Sequence, residues 1–105
     1  MQNERIIKYI GNIEDDSLID GANMIVICGF GEKGKRVYEY LTKEYNSIVL
    51  CDALEVGDYQ GKKIVSYSDI DRYLDAVFLV TNLDIRDTVY LLKRSGINNI
   101  HVITR

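Results

Sequence analysis

The chain has 105 residues, of which 47% are hydrophobic and 28% charged, the ordinary balance of one globular domain. Thirteen lysines and arginines against sixteen acidic residues give a formal charge of −3, which argues against nucleic-acid binding through a basic surface. Two cysteines and one histidine are too few for a disulfide framework or a zinc site, and no apolar run is long enough to cross a bilayer.

The first 22 residues are predicted to form an N-terminal helix and a connecting segment. Three isoleucines recur at helical spacing within residues 4–10, which predicts a short amphipathic helix there. Residues 23–105 are predicted to form the remaining unit, so that the chain is a single domain overall. No basic and apolar leader opens the sequence, which indicates a cytoplasmic protein.

Short apolar runs alternate with helical patterns in residues 23–105. The predicted strands are 24–28, 47–51, 64–65, 76–80 and 99–103, and the predicted helices are 33–45, 69–74 and 85–95. This alternation predicts an α/β fold, a three-layer, open, doubly wound parallel sheet in strand order 3-2-1-4-5. Because residues 52–62 have a loop composition, we expect the third strand at the sheet edge.

A glycine-rich motif follows the first predicted strand. Gly29, Gly31 and Gly34 form G-x-G-x-x-G between a buried strand and an amphipathic helix, the context that a dinucleotide site requires. The first glycine permits a tight turn, the second a close approach of the backbone to a pyrophosphate, and the third close helix packing. The expected phosphate-binding residues are Gly29, Phe30, Gly31, Glu32, Lys33 and Gly34. Lys33 would neutralise phosphate charge, and Glu32 would have to turn outward.

Polar residues follow two further predicted strands. Asp52 ends the second strand, where an acidic residue accepts hydrogen bonds from the ribose hydroxyls of adenosine. Ala53 comes next, with no adjacent arginine for a 2′-phosphate, which favours NAD over NADP. Thr81 and Asn82 follow the fourth strand and are expected to line the floor of the site. No nucleophile, base or metal constellation accompanies them, so we predict no catalytic residue and no metal ligand.

At these residues the chain resembles the Rossmann NAD-binding family. Residues 24–105 look like compact five-strand modules attached to bacterial surface-sugar enzymes, including glycosyltransferases, acyltransferases and methyltransferases. The resemblance implies NAD or another adenine nucleotide as ligand, and an accessory or regulatory role in a larger bacterial enzyme. The chain is also similar to the nucleotide-sensing domains of potassium-channel regulators, but it has Ser66-Tyr67-Ser68 where those domains carry a Gly-Asp pair.

Two alternatives remain open at the level of sequence. The chain could be a protein-interaction or dimerisation domain with a vestigial nucleotide loop, because three tyrosines, Tyr38, Tyr40 and Tyr45, share the first crossover helix. It could also be a fragment of an NAD-dependent oxidoreductase. The expected partners are an adenine dinucleotide or nucleotide and either a second copy or the remainder of a larger chain. Nucleic acid and membrane insertion are not expected.

Overall fold

The described part of the chain has an α/β fold. The computed structural model describes residues 7–10, 24–43, 45, 47–53 and 57–103. In chain order the elements are β1 (Ile7–Ile10), β2 (Ile25–Cys28), α1 (Glu32–Leu41), β3 (Ile48–Cys51), β4 (Gly57–Tyr59), β5 (Lys62–Val65), a 3₁₀ helix (Tyr67–Tyr73), β6 (Val77–Val80), α2 (Ile85–Arg94) and β7 (Ile100–Ile103). Within these residues no helix has the length and apolar character needed to span a membrane.

One mostly parallel sheet contains all seven described strands, in the order β1-β7-β6-β2-β3-β5-β4. Every neighbouring pair is parallel except β4 and β5. The five predicted strands lie within it as β5-β3-β2-β6-β7, and β1 and β4 add one strand at each edge. The predicted five-strand order 3-2-1-4-5 therefore does not match the sheet as a whole.

The helix predicted within residues 4–10 is wrong, because Ile7–Ile10 is the strand β1. It pairs in parallel with β7, and Ile7 lies opposite Ile100. Isoleucine is β-branched and favours strands, and the edge of β7 supplies backbone partners that a local helix does not use. Residues 7–10 thus belong to the same sheet as the predicted domain 23–105. The predicted connecting segment, residues 11–22, lies outside the described residues.

The third predicted strand is not at the sheet edge, because a hairpin replaces the usual crossover helix. β5 lies between β3, to which it is parallel, and β4, to which it is antiparallel. Gln60 and Gly61 connect β4 to β5 with φ angles of 53° and 84°. Positive φ at both positions of a two-residue loop is typical of a type I′ turn, whose twist matches that of the strands. The hairpin therefore turns the chain so that β5 runs parallel to β3.

Helices cover both faces of the sheet, so the molecule has three layers. Ile25 and Ile27 of β2 pack with Val37 of α1, whereas alternate residues of β2 pack on the opposite face with Leu92 of α2 and Ile70 of the 3₁₀ helix. Every residue of β2 is fully buried. This double-sided burial explains the continuous apolar run that predicts the strand.

The helix boundaries differ from the predictions by a few residues. α1 ends at Leu41 instead of residue 45, α2 spans Ile85–Arg94, and Gly96 follows with φ of 92°, typical of a helix C′ position. The helix predicted at 69–74 is a 3₁₀ helix over Tyr67–Tyr73, and Ser66 caps it.

The three tyrosines of the predicted helix 33–45 all pack against the core. Tyr38 is buried, and Tyr40 and Tyr45 pack against the same core as α1. Tyr38 therefore belongs to the interior of the domain, and the half-buried Tyr40 and Tyr45 lie at its border.

Candidate functional site

The candidate site lies where the carboxyl ends of three parallel strands meet. Cys28, the last residue of β2, is opposite Cys51 of β3 and Val80 of β6. The chain leaves β2 into α1 on one face of the sheet and leaves β6 toward α2 on the other face. Loops that diverge in this way open a crevice, and open α/β sheets bind their ligands in such crevices.

A cleft of about 660 Å³ occupies this position, within the range of roughly 300–1,000 Å³ that is usual for small-molecule sites. It is lined by Gly29, Phe30, Gly31, Glu32, Lys33, Arg36, Asp52, Ala53, Tyr67, Thr81, Asn82, Leu83 and Asp84. The predicted binding residues thus come together at one place, with the exception of Gly34, which does not line the cleft.

The three glycines of the motif have different surroundings. Gly29 has a φ of 94°, and a Cβ atom added there would lie 2.5 Å from the Cβ of Asn82. A Cβ at Gly34 would collide with the backbone oxygen of Gly29, whereas a Cβ at Gly31 would meet no atom within 4 Å. Packing within the protein therefore explains Gly29 and Gly34. The open space beside Gly31 belongs to the cleft.

The N-terminus of α1 is oriented to bind an anion. Gly31 is the N-cap, and no side chain caps the first turn. The first intrahelical hydrogen bond runs from the amide of Lys35 to the Gly31 carbonyl, at 3.0 Å. The amides of residues 32–34 come before it and have no intrahelical acceptor. These amides and the positive end of the helix dipole suit a phosphate group.

Asp52 holds the glycine-rich loop. Its Oδ2 accepts a hydrogen bond of 2.5 Å from the backbone amide of Phe30. The Phe30 ring is only 2% exposed and makes an edge-to-face contact with Tyr59, with 4.8 Å between ring centroids. Phe30 therefore offers the cleft its backbone and not its ring. The carboxylate predicted to bind ribose has a partner within the loop.

Thr81 ties β6 to the same loop. Its buried hydroxyl donates to the carbonyl of Gly29 at 2.5 Å and lies 3.0 Å from the carbonyl of Cys28. The Thr81 side chain lines the cleft, as the sequence predicts, but its hydroxyl is engaged by the backbone. The loops that follow β2 and β6 are thereby fixed against each other, since Asn82 also packs on Gly29.

Two residues that line the cleft each have a polar atom that is buried from solvent and lacks a hydrogen bond of standard geometry among the described residues. These atoms are the Oδ1 of Asn82 and the hydroxyl of Tyr67, and the Tyr67 hydroxyl interacts with the side chains of Thr88 and Cys28. The Nδ2 of Asn82 donates to the Thr88 hydroxyl at 2.7 Å, which leaves Oδ1 as the unpaired acceptor. Burial raises the pKa of Tyr67 far above its usual value, so this hydroxyl stays protonated. Buried polar atoms normally have partners, so the Oδ1 of Asn82 singles out this part of the cleft.

The cleft rim carries charges of both signs. The Nζ of Lys33 donates to the carbonyl of Ile103 at 3.2 Å, so this predicted phosphate ligand is engaged at the end of β7. Arg36 lies three residues further along α1, lines the cleft and is exposed. Residues three apart share a helix flank, a signal that could have added Arg36 to the predicted site. Glu32 is exposed, and so is Asp84 at the start of α2.

Within the described ranges, no group of three or more histidine, cysteine, aspartate or glutamate side chains could hold a metal ion. No family model matches the chain, and neither a curated protein nor a solved structure matches it. The function of the cleft is therefore inferred from its own residues and their geometry.

Proposed function

We propose that the chain is a Rossmann-like module that binds NAD or another adenine nucleotide in this cleft. The observation that carries the proposal is the open space beside Gly31, at an uncapped helix N-terminus inside a cleft of about 660 Å³. No contact within the described residues requires a glycine there. A pyrophosphate that approaches the backbone would use this space.

The groups around Gly31 fit a nucleotide phosphate. The amides of residues 32–34 supply donors without intrahelical partners, and Arg36 supplies a guanidinium at the rim. Lys33 can bind the same phosphate if its Nζ leaves the carbonyl of Ile103. Two cations then balance the negative charge of a pyrophosphate.

The side of the cleft at β3 favours NAD over NADP. Asp52 and Ala53 line the cleft there, so a 2′-phosphate would face a carboxylate. Arg36 lies on the same flank of α1 as Lys33, whose Nζ reaches the Ile103 carbonyl at the end of β7, on the side of β2 opposite β3.

The role that fits these residues is recognition without catalysis by this chain alone. The polar side chains of the floor form hydrogen bonds within the protein. The Thr81 hydroxyl, for example, lies within hydrogen-bonding distance of two backbone carbonyls. A nucleophile would need an adjacent base, whereas the Thr81 hydroxyl donates to the backbone carbonyl of Gly29. By the resemblance of its motif, the module would serve a larger bacterial enzyme that modifies sugars, such as a glycosyltransferase.

Isothermal titration with NAD, NADH, NADPH, ATP and UDP-glucose tests the proposal. We expect saturable binding of NAD and NADH and weaker binding of NADPH. Gly31→Val should abolish binding because its side chain fills the space of the phosphate. Thr42→Val places the same side chain at the opposite, exposed end of α1 and should bind like wild type. An absence of binding by wild type at millimolar concentrations of all five ligands would refute the proposal.

A further inference from the structure

Two residues with uncharged polar side chains, Asn82 and Tyr67, line the cleft close to the glycine-rich loop. Asn82 packs its backbone directly against Gly29, so its side chain lies immediately beside the phosphate-binding segment. Its Nδ2 donates to the hydroxyl of Thr88, a residue that is only 6% exposed. The Oδ1 atom is buried and has no hydrogen-bond partner among the described residues, and the Tyr67 side chain lines the same part of the cleft.

The chemistry of these two atoms suits a sugar hydroxyl better than a phosphate. A carboxamide oxygen repels phosphate oxygens, but it accepts a hydrogen bond from a hydroxyl group. A tyrosine hydroxyl can donate to that group or accept from it. In a nucleotide the ribose directly follows the phosphate, and the base lies further away. Groups that adjoin the phosphate-binding loop are therefore placed for the ribose.

We propose that Asn82 and Tyr67 bind the ribose hydroxyls of the nucleotide, and that Asp52 is a positioning residue for the glycine-rich loop. The inference rests on the proposed nucleotide site and assigns its sugar-binding groups. Each of the two side chains must rotate on binding, because neighbouring protein atoms cover both polar atoms in this structure. Both residues are half-buried and line the cleft, so the rotation is local. Asp52 acts through the amide of Phe30.

The test compares AMP with 2′-deoxy-AMP and 3′-deoxy-AMP by isothermal titration of the full chain. Loss of a hydrogen-bonded hydroxyl should weaken binding of at least one deoxy compound to wild type by roughly three- to tenfold. The readout is this ratio of affinities and not the affinity itself. A merely structural change lowers both affinities and leaves the ratio unchanged.

Four variants separate the roles. In Tyr67→Phe and Asn82→Ala the preference for AMP should fall to about one, whereas Tyr73→Phe, at the other end of the same 3₁₀ helix, should retain it. Asp52→Ala should weaken AMP and deoxy compounds equally and keep the ratio. Tyr67→Phe removes a hydroxyl that lacks a standard hydrogen bond, so it should fold, which circular dichroism checks.

The inference is overturned if wild type binds AMP and both deoxy compounds equally. It is also overturned if the preference survives in either Tyr67→Phe or Asn82→Ala, or disappears in Asp52→Ala. These outcomes leave nucleotide binding intact. Wild type that binds neither AMP nor NAD would refute the proposed function and, with it, this inference.

Discussion

At the scale of single residues, one motif combines two kinds of glycine. Gly29 and Gly34 allow the loop and α1 to approach Asn82 and each other, so their role is structural. Gly31 faces open space in the cleft and has an ordinary negative φ of −87°. Glycine is therefore needed for folding at Gly29 and Gly34, and for ligand access at Gly31.

Alanine substitutions should separate these roles. We expect Gly34→Ala to lower the free energy of unfolding by about 2 kcal/mol or more, because its Cβ meets the Gly29 carbonyl. Gly31→Ala should change it by less than about 1 kcal/mol, the size of an N-cap effect. Urea unfolding of both variants measures the difference. Equal destabilisation would show that Gly31 is also a packing glycine.

The two cysteines should be unreactive in the folded protein. Cys28 and Cys51 are opposite each other on β2 and β3, and both are fully buried. A hydrogen bond with Cys51 and burial together raise the pKa of Cys28 well above its usual value, so the Cys28 thiol is protonated at pH 8. Only the thiolate attacks Ellman's reagent. We expect almost no reaction at pH 8 without denaturant and two thiols per chain in urea. Rapid native reaction would contradict this burial.

At the scale of elements, Thr81 joins the end of β6 to the loop after β2. Thr81→Val keeps the shape of the side chain but removes the hydroxyl that donates to the Gly29 carbonyl. We expect the free energy of unfolding to fall by about 1–2 kcal/mol, because this buried carbonyl loses a donor. Thr42→Val, an exposed substitution of the same type, should have a smaller effect. If chemical denaturation gives equal values for both variants, the Thr81 bonds do not stabilise the loop.

The β4–β5 hairpin offers a stabilising substitution. Gln60 adopts a left-handed conformation with φ of 53°, which asparagine tolerates better than glutamine. Gln60→Asn creates the Asn-Gly pair favoured in type I′ turns and should raise the unfolding free energy by about 0.5 kcal/mol. Gly61→Ala should lower it by about 1 kcal/mol, since alanine is strained at φ of 84°. Thermal denaturation that shows the reverse order would contradict the turn assignment.

The central strands and the two long helices could be predicted from sequence, whereas the sheet edges could not. Val77–Val80 is buried on both faces and is an uninterrupted apolar run. Gly57–Tyr59 is mostly exposed and contains glycine and aspartate, which local propensity disfavours in strands. Ile7–Ile10 becomes a strand because β7 is available as a partner. Pairing with strands that are distant in sequence decides whether such segments form strands. Local periodicity does not contain this information.

At the scale of the whole molecule, the parallel sheet explains why the candidate site could be located from sequence. Residues that follow β2, β3 and β6 meet because the carboxyl ends of parallel strands lie on the same side of the sheet. The hydrogen-bond partners of those residues could not be predicted. Asp52 binds the loop, Thr81 binds two carbonyls, and Lys33 reaches Ile103. Side-chain directions depend on packing between distant segments.

The measurement that tests nucleotide binding most directly is urea unfolding of the full chain with and without NAD. NAD at about a hundred times its dissociation constant should add about 2.7 kcal/mol to the unfolding free energy of wild type and of Thr42→Val. Gly31→Val should gain nothing, whatever its own stability without ligand. Identical unfolding with and without millimolar NAD in wild type, or an equal gain in Gly31→Val, would contradict a nucleotide site beside Gly31.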